Sequence, residues 1–476
     1  MNYIDYTNTV EKPDFEVYAN LYRGNHFAVF DIDKFSYFTN SKQYIVYNFP
    51  EILTNTINDL IWNEAPKILF DNPQSQDAFD QFKFQTGLMI KLREATTTSS
   101  FAGDAVLRLT MEDGKVCIDQ IDNRIWYPIF NPNNPRSEAT GHILKYSKSI
   151  TKDTQAILLE IHTKGQIEYQ AYSLTSGNYT LEKPTVNWSD EINDVLIDPN
   201  LAKVNGQFIY KTNCDYPLVF VISNNKSNTS YFGQSDYTAP IISKVLGINS
   251  LLNQSQSVLR RHANPKMIVP KQVINQAVRE MQANSGLATE LGVSDLSLNQ
   301  YQTGQTLSES IVASKIINKL EFFGSDINGA EPKYLTWDGN LESSEKQLHT
   351  LLNACYDESQ LSKILIDPTA TTGNLSGVAI MRMCQQSLNK ASKKQAYIMD
   401  TLAKMLFSWC QLSGLEPQYP SIKFKDGLVN DLKETIENQE LLLNNQLTSR
   451  LDAIQVTRDM TLEQAQEVIS QIDNVL

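Results

Sequence analysis

FGQSDYTAPIISKVLGINSLLNQSQSVLRRH, residues 232–262, is where the chain changes character. From Asp236 to His262, Ile242, Val245, Ile248, Leu252, Ser255 and Leu259 recur at steps of three and four. Pro240 falls in the first turn and Asn264-Pro265 supplies a stop, so the spacing predicts one long helix. Upstream, from about Tyr3 to Gly233, short apolar runs alternate with turn residues and a few helical stretches. That half reads as mixed α+β, and the half beyond Asp236 reads as long helices.

Three stretches carry the strand signal. In GDAVLRLTMEDGKVCIDQID, residues 103–122, Ala105, Leu107 and Leu109 alternate, Asp113-Gly114 supplies a hairpin turn, and Val116, Ile118 and Gln120 resume the alternation. AILLEIHTKGQIEYQAYSL, residues 156–174, and YPLVFVI, residues 216–222, read the same way. YIVYNFPEILTNTINDLIWNE, residues 44–64, reads as a strand that turns into a helix after Pro50, a residue suited to a first helical position.

Beyond the long helix, residues 266–340 are irregular, with a helix predicted over Val273–Ala283 and strands near Lys315–Phe323 and Tyr334–Trp337. This segment reads as an insertion between two helices. The second helix is predicted to begin near Ser344, where Ser-Glu-Lys-Gln fits a capping box, and to carry Leu348, Leu351, Leu352 and Cys355 on one side. After Asp367-Pro368 comes DPTATTGNLSG, residues 367–377, too polar to be core. A third helix runs from about Ser376 to Gln411, with Val378, Met381, Gln385, Leu388, Ile398, Leu402, Met405 and Trp409 at helical spacing. At about 1.5 Å per residue it spans roughly 50 Å. Gly414 and Pro417 end it, SIKFKD returns as a strand, and two helices close the chain, the last from the capping box at Thr461.

The 476 residues, 41% hydrophobic and 20% charged, suffice for two or more packed units. No apolar run approaches the roughly 18 to 20 residues of a membrane span, and the N-terminal residues lack a signal-peptide layout, so a cytoplasmic origin is expected. Five scattered cysteines with no CxxC pair argue against a disulfide framework and a zinc site, and point to reduced thiols. A net charge of −13 opposes tight, static binding of nucleic acid but not DNA as sliding cargo.

The order of elements, and the blocks LYRGNHFAVF, YIVYNFPEILTNTINDLI, FAGDAVLRLTMEDGKVCIDQID, FGQSDYTAPIISKVLGINSLLNQSQSVL and LSGVAIMRMCQQSLNKASKKQ in that order, resemble the portal proteins of tailed bacteriophages. The resemblance runs from about residue 15 to the C-terminus and is weakest over residues 271–335. It implies an α+β portal fold: a wing (1–233), a stem helix (234–264), a clip (265–340), a second stem helix (341–365) and a tunnel loop (366–376). A long wing helix with a return strand and helix (377–447) and a short helical crown (448–476) complete it. It further implies a homo-oligomeric ring, usually of twelve copies, at the capsid vertex of the virion. Double-stranded DNA passes through such a ring, which works with terminase, a head-tail adaptor, the major capsid protein and scaffolding protein.

In such a ring, Thr369, Thr371, Thr372, Gly373 and Asn374 offer short, uncharged hydrogen-bonding groups without a cationic lock, suited to brushing phosphates; the alternative is an ordinary helix connection. Arg260, Arg261, His262, Lys266 and Lys271 form the densest basic group, which either complements a helix C-terminus or faces DNA or acidic neighbours. Lys390, Lys393 and Lys394 pose the same choice between a solvated face and a DNA contact. Asp31 and Asp33 in FDIDKF have the spacing of a shared divalent-metal site, which keeps a carboxylate-metal enzyme open as an alternative, beside a non-portal ring-forming protein. No phosphate loop, HExxH or GxSxG is present and the five histidines are scattered, so no catalytic residue, metal or cofactor is expected.

Overall fold

The structure is a computed structural model that describes residues 2–30, 44–131, 139–149, 154–175, 178–182, 202–204, 207–226, 230–263, 267–270, 322–325, 333–334, 341–367, 377–424, 432–458 and 462–473. It mixes helix and sheet, as an α+β chain should, and divides into two compact units. One comprises Met1–Val29, Asn48–Ile242 and Cys355–Leu476; the other comprises Phe30–Tyr47 and Ser243–Ala354.

The first unit opens with α1 (Tyr3–Thr9), α2 (Phe15–Tyr22), α3 (His26–Val29) and α4 (Phe49–Trp62), then β1 (Lys67–Leu69), α5 (Pro73–Thr86) and α6 (Leu88–Ala102). In α4, Pro50 takes the first turn, where a missing N–H costs nothing, and Phe49, Leu53, Ile57 and Ile61 are buried at helical spacing. Asn72 caps α5 by accepting from the Gln74 N–H at 2.9 Å, and Gly87, in the left-handed region at φ +61°, ends α5 and starts α6.

The strands come next as β2 (Asp104–Glu112), β3 (Lys115–Ile121), β4 (Trp126–Ile129), β5 (Gly141–Ser149), β6 (Thr154–Thr163), β7 (Gln166–Thr175), β8 (Asn178–Glu182), β9 (Ala202–Val204), β10 (Gln207–Lys211) and β11 (Val219–Ser223). The hairpin expected at Asp113-Gly114 forms: Glu112 pairs with Lys115 across a two-residue turn with φ of +48° and +74°. β2 then sits between β3 and β11, while β4 to β10 build a larger antiparallel sheet in the order β4-β5-β6-β7-β10-β9, with β8 also on β7. One core cluster gathers Ile4, Ile129, Ile143, Ile157, Leu159 and Ile161; another gathers Val106, Ile121, Trp126, Leu144, Val219 and Phe232.

α7 (Ala239–Ala263) starts later than the Asp236 read from sequence, because Asp236 and Tyr237 are committed to a turn. In the second unit, residues 44–47 join none of the described strands. Their backbone is met by side chains of α7 instead: Asn253 Oδ1 accepts from Ile45 N at 2.9 Å and Asn253 Nδ2 donates to Ile45 O at 2.8 Å. One turn earlier, Asn249 Oδ1 accepts from Tyr47 N at 2.9 Å. Two asparagines four apart on a helix thus match alternate residues of this strap, satisfying backbone groups that a strand partner would otherwise serve. β12 (Met267–Pro270) pairs parallel with β13 (Phe322–Ser325) and antiparallel with β14 (Lys333–Tyr334), so the strands expected near 315–323 and 334–337 are short and slightly displaced. The helix expected over Val273–Ala283 lies outside the described residues.

α8 (Leu341–Ser359) begins ahead of the expected Ser344 cap. The long helix, α9 (Gly377–Leu412), has 36 residues, about 54 Å at the usual rise. Its distal half buries Ile398, Leu402, Met405 and Trp409 as expected. Its first half departs: Met381 and Gln385 are exposed, and the inward stripe is Cys384, Ser387, Ala391 and Lys394. Beyond Gly414, β15 (Ser421–Lys423) returns to β1 in antiparallel register. Among the described residues three helices, where two are expected, follow: α10 (Leu432–Asn444), α11 (Arg450–Arg458) and α12 (Leu462–Asp473). The break after α10 comes from Gln446 at φ +57°, with Leu447 N bonded to Leu442 O and Gln446 N to Leu443 O, an ordinary left-handed helix end.

Candidate functional site

The segment Gly233-Gln-Ser-Asp-Tyr, where α+β gives way to helix, is folded around a backbone crossing. A Cβ on Gly233 would stand 2.0 Å from Gly103 O, and one on Gly103 would stand 2.2 Å from Gly233 O, so both positions need glycine. Asp104 secures the crossing: its carboxylate accepts from Gly233 N at 2.8 Å and from Ser223 Oγ at 2.6 Å, while Asn224 N donates to Gly103 O at 2.7 Å. Burial pushes the Asp104 carboxyl up to about 6, against the pull of these donors.

Three residues on, Asp236 is buried and receives Ser100 Oγ at 2.5 Å, Lys390 Nζ at 3.0 Å and Lys394 Nζ. Burial alone would raise its carboxyl, but the two ammonium groups outweigh that and hold it well below the usual carboxylate range. Lys394 is lowered to about 8 by burial, with Asp236 resisting the fall. Tyr237 extends the cluster: its hydroxyl donates to Pro50 O at 2.9 Å and lies 2.7 Å from Thr54 Oγ1.

The same lysine stripe grips the end of α8. Lys390 Nζ also donates to Ser359 O at 2.9 Å, the last residue of that helix. Gln360 takes the left-handed conformation, φ +57°, and Leu361 N closes back on Tyr356 O. Ser387 Oγ accepts from Ser362 N at 2.7 Å and donates to Gln360 O at 3.2 Å. A 3-10 turn at Lys363–Leu365 then leads to Asp367, whose N–H bonds to Lys363 O. The root of α7, the end of α8 and the first half of α9 are therefore tied by one buried ionic and hydrogen-bonded cluster. The polar loop lies between Asp367, five residues after Ser362, and Gly377, ten residues before Ser387 on α9.

Of the residues singled out from sequence, Lys390 and Lys394 point into this cluster and do not form a cationic face; the expectation of a solvated or DNA-facing lysine run is corrected for these two, because a buried carboxylate claims both. Lys393, between them, is exposed. Arg260 and Arg261 lie in the last turns of α7, with side chains outside the described residues. Thr369, Thr371, Thr372, Gly373, Asn374, Lys266, Lys271, Asp31 and Asp33 also lie outside them. Among the described residues, no group of three or more His, Cys, Asp or Glu is placed to hold a metal ion, and no helix is long and apolar enough to cross a membrane.

Sequence reading missed Asp236, Ser359 and Ser387 as a set. The available signal was polar residues at core positions of a helical repeat, Ser387 and Lys394 beside Cys384 and Ala391.

No curated protein matches the chain. The family model of the phage portal protein, SPP1 Gp6-like, matches residues 1–474. With that match spanning nearly the whole sequence, the chain belongs to the SPP1 Gp6-like family of phage portal proteins.

Proposed function

We propose that this chain is the subunit of a ring at the capsid vertex, through which double-stranded DNA is packaged and later ejected. The observation that carries this reading is the portal-family match over residues 1–474. In this reading residues 1–233 form the wing, 234–264 and 341–365 the stem helices, 265–340 the clip, 366–376 the tunnel loop, 377–447 the long helix with its return, and 448–476 the crown. The ring, of about twelve copies by the habit of the family, docks terminase and a head-tail adaptor and contacts capsid and scaffolding proteins. ATP hydrolysis belongs to the motor, and the ring acts passively.

The Asp236 cluster supports the assignment of the loop. A loop that tracks a moving duplex needs a stiff mount, and Lys390, Ser387 and Asp236 supply one on the side from which it leaves α8. Thr369, Thr371, Thr372, Gly373 and Asn374 then offer hydrogen bonds to phosphates without a charge that would hold them. Exposed Lys393, with Arg260, Arg261, Lys266 and Lys271, is left as the candidate cationic contact along the passage.

Deleting residues 369–374 tests this. Rings are expected to assemble normally, seen by electron microscopy, while particles complemented with the deleted protein package or retain less DNA. Normal filling of particles with the deletion would refute the loop's role. Absence of rings from the unaltered protein would refute the assembly itself.

A further inference from the structure

Residues 44–47 are seated on α7 by polar groups where a helix facing its core ordinarily carries leucine. Asn249 and Asn253 are 0% and 4% exposed. A buried amide is tolerated when its donors and its acceptor are engaged. The Asn253 amide meets that condition through the strap: Oδ1 accepts from Ile45 N at 2.9 Å, and Nδ2 donates both to Ile45 O at 2.8 Å and to Asn249 O at 2.7 Å. The bond to Asn249 O fixes the amide plane, and the other two take the N–H and C=O of one residue together, as a neighbouring strand would. Asn249 Oδ1 takes Tyr47 N, two residues on. The recognition is of main chain, and Ile45 itself is 39% exposed.

The strap sits where the chain crosses between units. Phe30–Tyr47 belongs to the second compact unit, while Val29 before it and Asn48 after it belong to the first. In place of the row of bonds a ladder supplies, three bonds from two side chains seat the strap. A hydrogen bond of this kind is worth about fivefold in an equilibrium constant, so three favour the seated state by on the order of a hundredfold. β6, with ladders on both of its sides, opens far more rarely. A polar dock also suits repeated opening, because released amides find water whereas bared leucines would not.

We infer that residues 44–47 are a latch. They leave α7 as one piece, in a local opening that keeps α7 helical, and reseat in the register that Asn249 and Asn253 dictate. Opening uncouples the crossing between Val29 and Asn48 from α7; closing restores it.

The latch is tested by hydrogen–deuterium exchange of the full chain, resolved to single amides by fragmentation mass spectrometry. The Ile45 and Tyr47 amides are expected to exchange about a hundredfold more slowly than in an unstructured peptide, at a rate that low guanidinium leaves unchanged, while β6 amides are slower and respond to denaturant. Asn253→Leu should cut protection by about tenfold at Tyr47 as well as at Ile45, with α7 amides unchanged, because Tyr47 leaves with the rest of the strap although its own bond to Asn249 is intact. Ile45→Pro removes the strap's N–H and leaves α7 unaltered; it should lower protection at Tyr47 by about fivefold, and Ile45→Thr should not. Should Asn253→Leu fail to fold, the proline variant makes the same comparison from the strap side. Amides at 45 and 47 that exchange at the unstructured rate, or only together with β6, would overturn the latch, and so would a loss in Asn253→Leu confined to Ile45. Protection present in rings but absent from dissociated subunits would assign it to a neighbouring copy, with the same result.

Discussion

Asp236 meets two lysines in a space closed to water, and that ratio sets its energetics. A buried pair adds modest net stability when intact but strands its partner when broken, because the remaining charge cannot be solvated. Asp236→Ala leaves Lys390 and Lys394 facing each other without a counter-charge. The expected loss is about 3 to 5 kcal/mol, read as a lowered denaturation midpoint. Replacing all three residues together, Asp236→Leu with Lys390→Met and Lys394→Met, removes the stranded charge and is expected to recover much of that loss. Equal damage from the single and triple replacements would show that packing, not charge, dominates the site. The neighbouring glycines act through shape alone: Gly103 and Gly233 let two backbones approach within a distance that no Cβ permits.

Among the elements, β2, β3, β5 and β6 share a second buried network. Arg108 donates to Glu160 at 2.9 Å and to Asp119 at 2.9 Å, His162 Nε2 lies 2.8 Å from Glu160, and Tyr146 donates to Glu160 at 3.3 Å. Across the β5–β6 ladder His142 stands opposite His162, and Trp126 Nε1 donates to His142 Nδ1 at 3.1 Å. Burial, helped by His162, lowers His142 from 6.5 to about 3, so the folded ring is neutral there while an unfolded one takes up a proton. Its contribution is present above pH 6.5 and lost as pH falls toward 3. Glu160 is opposed by burial but brought down from 4.5 to about 2 by Arg108 and His162, so its contribution persists above pH 4.5 and is lost on approach to pH 2. His142 therefore pulls the thermal midpoint down from pH 6.5, while Asp104, raised to about 6 and so stabilising as pH falls from there, offsets that slope below pH 6. His142→Gln, which keeps an acceptor for Trp126, should remove up to about 1.4 kcal/mol per pH unit from that slope. Parallel pH profiles for the two proteins would rule His142 out as the source. The β2–β3 hairpin was readable because Asp113-Gly114 and the alternation agree, and α9 was readable because its length and distal stripe are strong signals. The strap at 44–47 was read as a strand because its residues favour one; nothing local could reveal that Asn249 and Asn253, some two hundred positions away, would take the place of a ladder. The same blindness hid the first half of α9, where Lys394 faces inward because a distant carboxylate makes a cation tolerable in the core. Of the candidate site, the loop could be picked out by composition, whereas its mount depends on contacts between residues far apart in sequence.

For the whole molecule, charge governs assembly more than any one pair does. Each copy carries −13, so in the ring proposed above many copies would accumulate like charge and oppose closure, a cost that apolar contacts would have to exceed. The balance shifts with ionic strength: at about 0.01 M the repulsion reaches across roughly 30 Å, and at physiological salt across about 8 Å. Association of purified protein is thus expected to strengthen as salt rises from about 0.02 M to 0.3 M, with a larger share of protein in the ring by analytical ultracentrifugation. The exposed ion pairs Arg93–Asp59 and Arg124–Glu16 work in the opposite sense within a subunit, but exposed pairs contribute little and their screening should not reverse the trend. Rings that fall apart as salt rises would mean that copies are joined mainly by opposite charges, and net charge would then be the wrong quantity to reason from. The same screening argument separates the proposed conduit from a binder: the acidic chain should hold a DNA duplex weakly at physiological salt, as a passage that lets DNA slide requires.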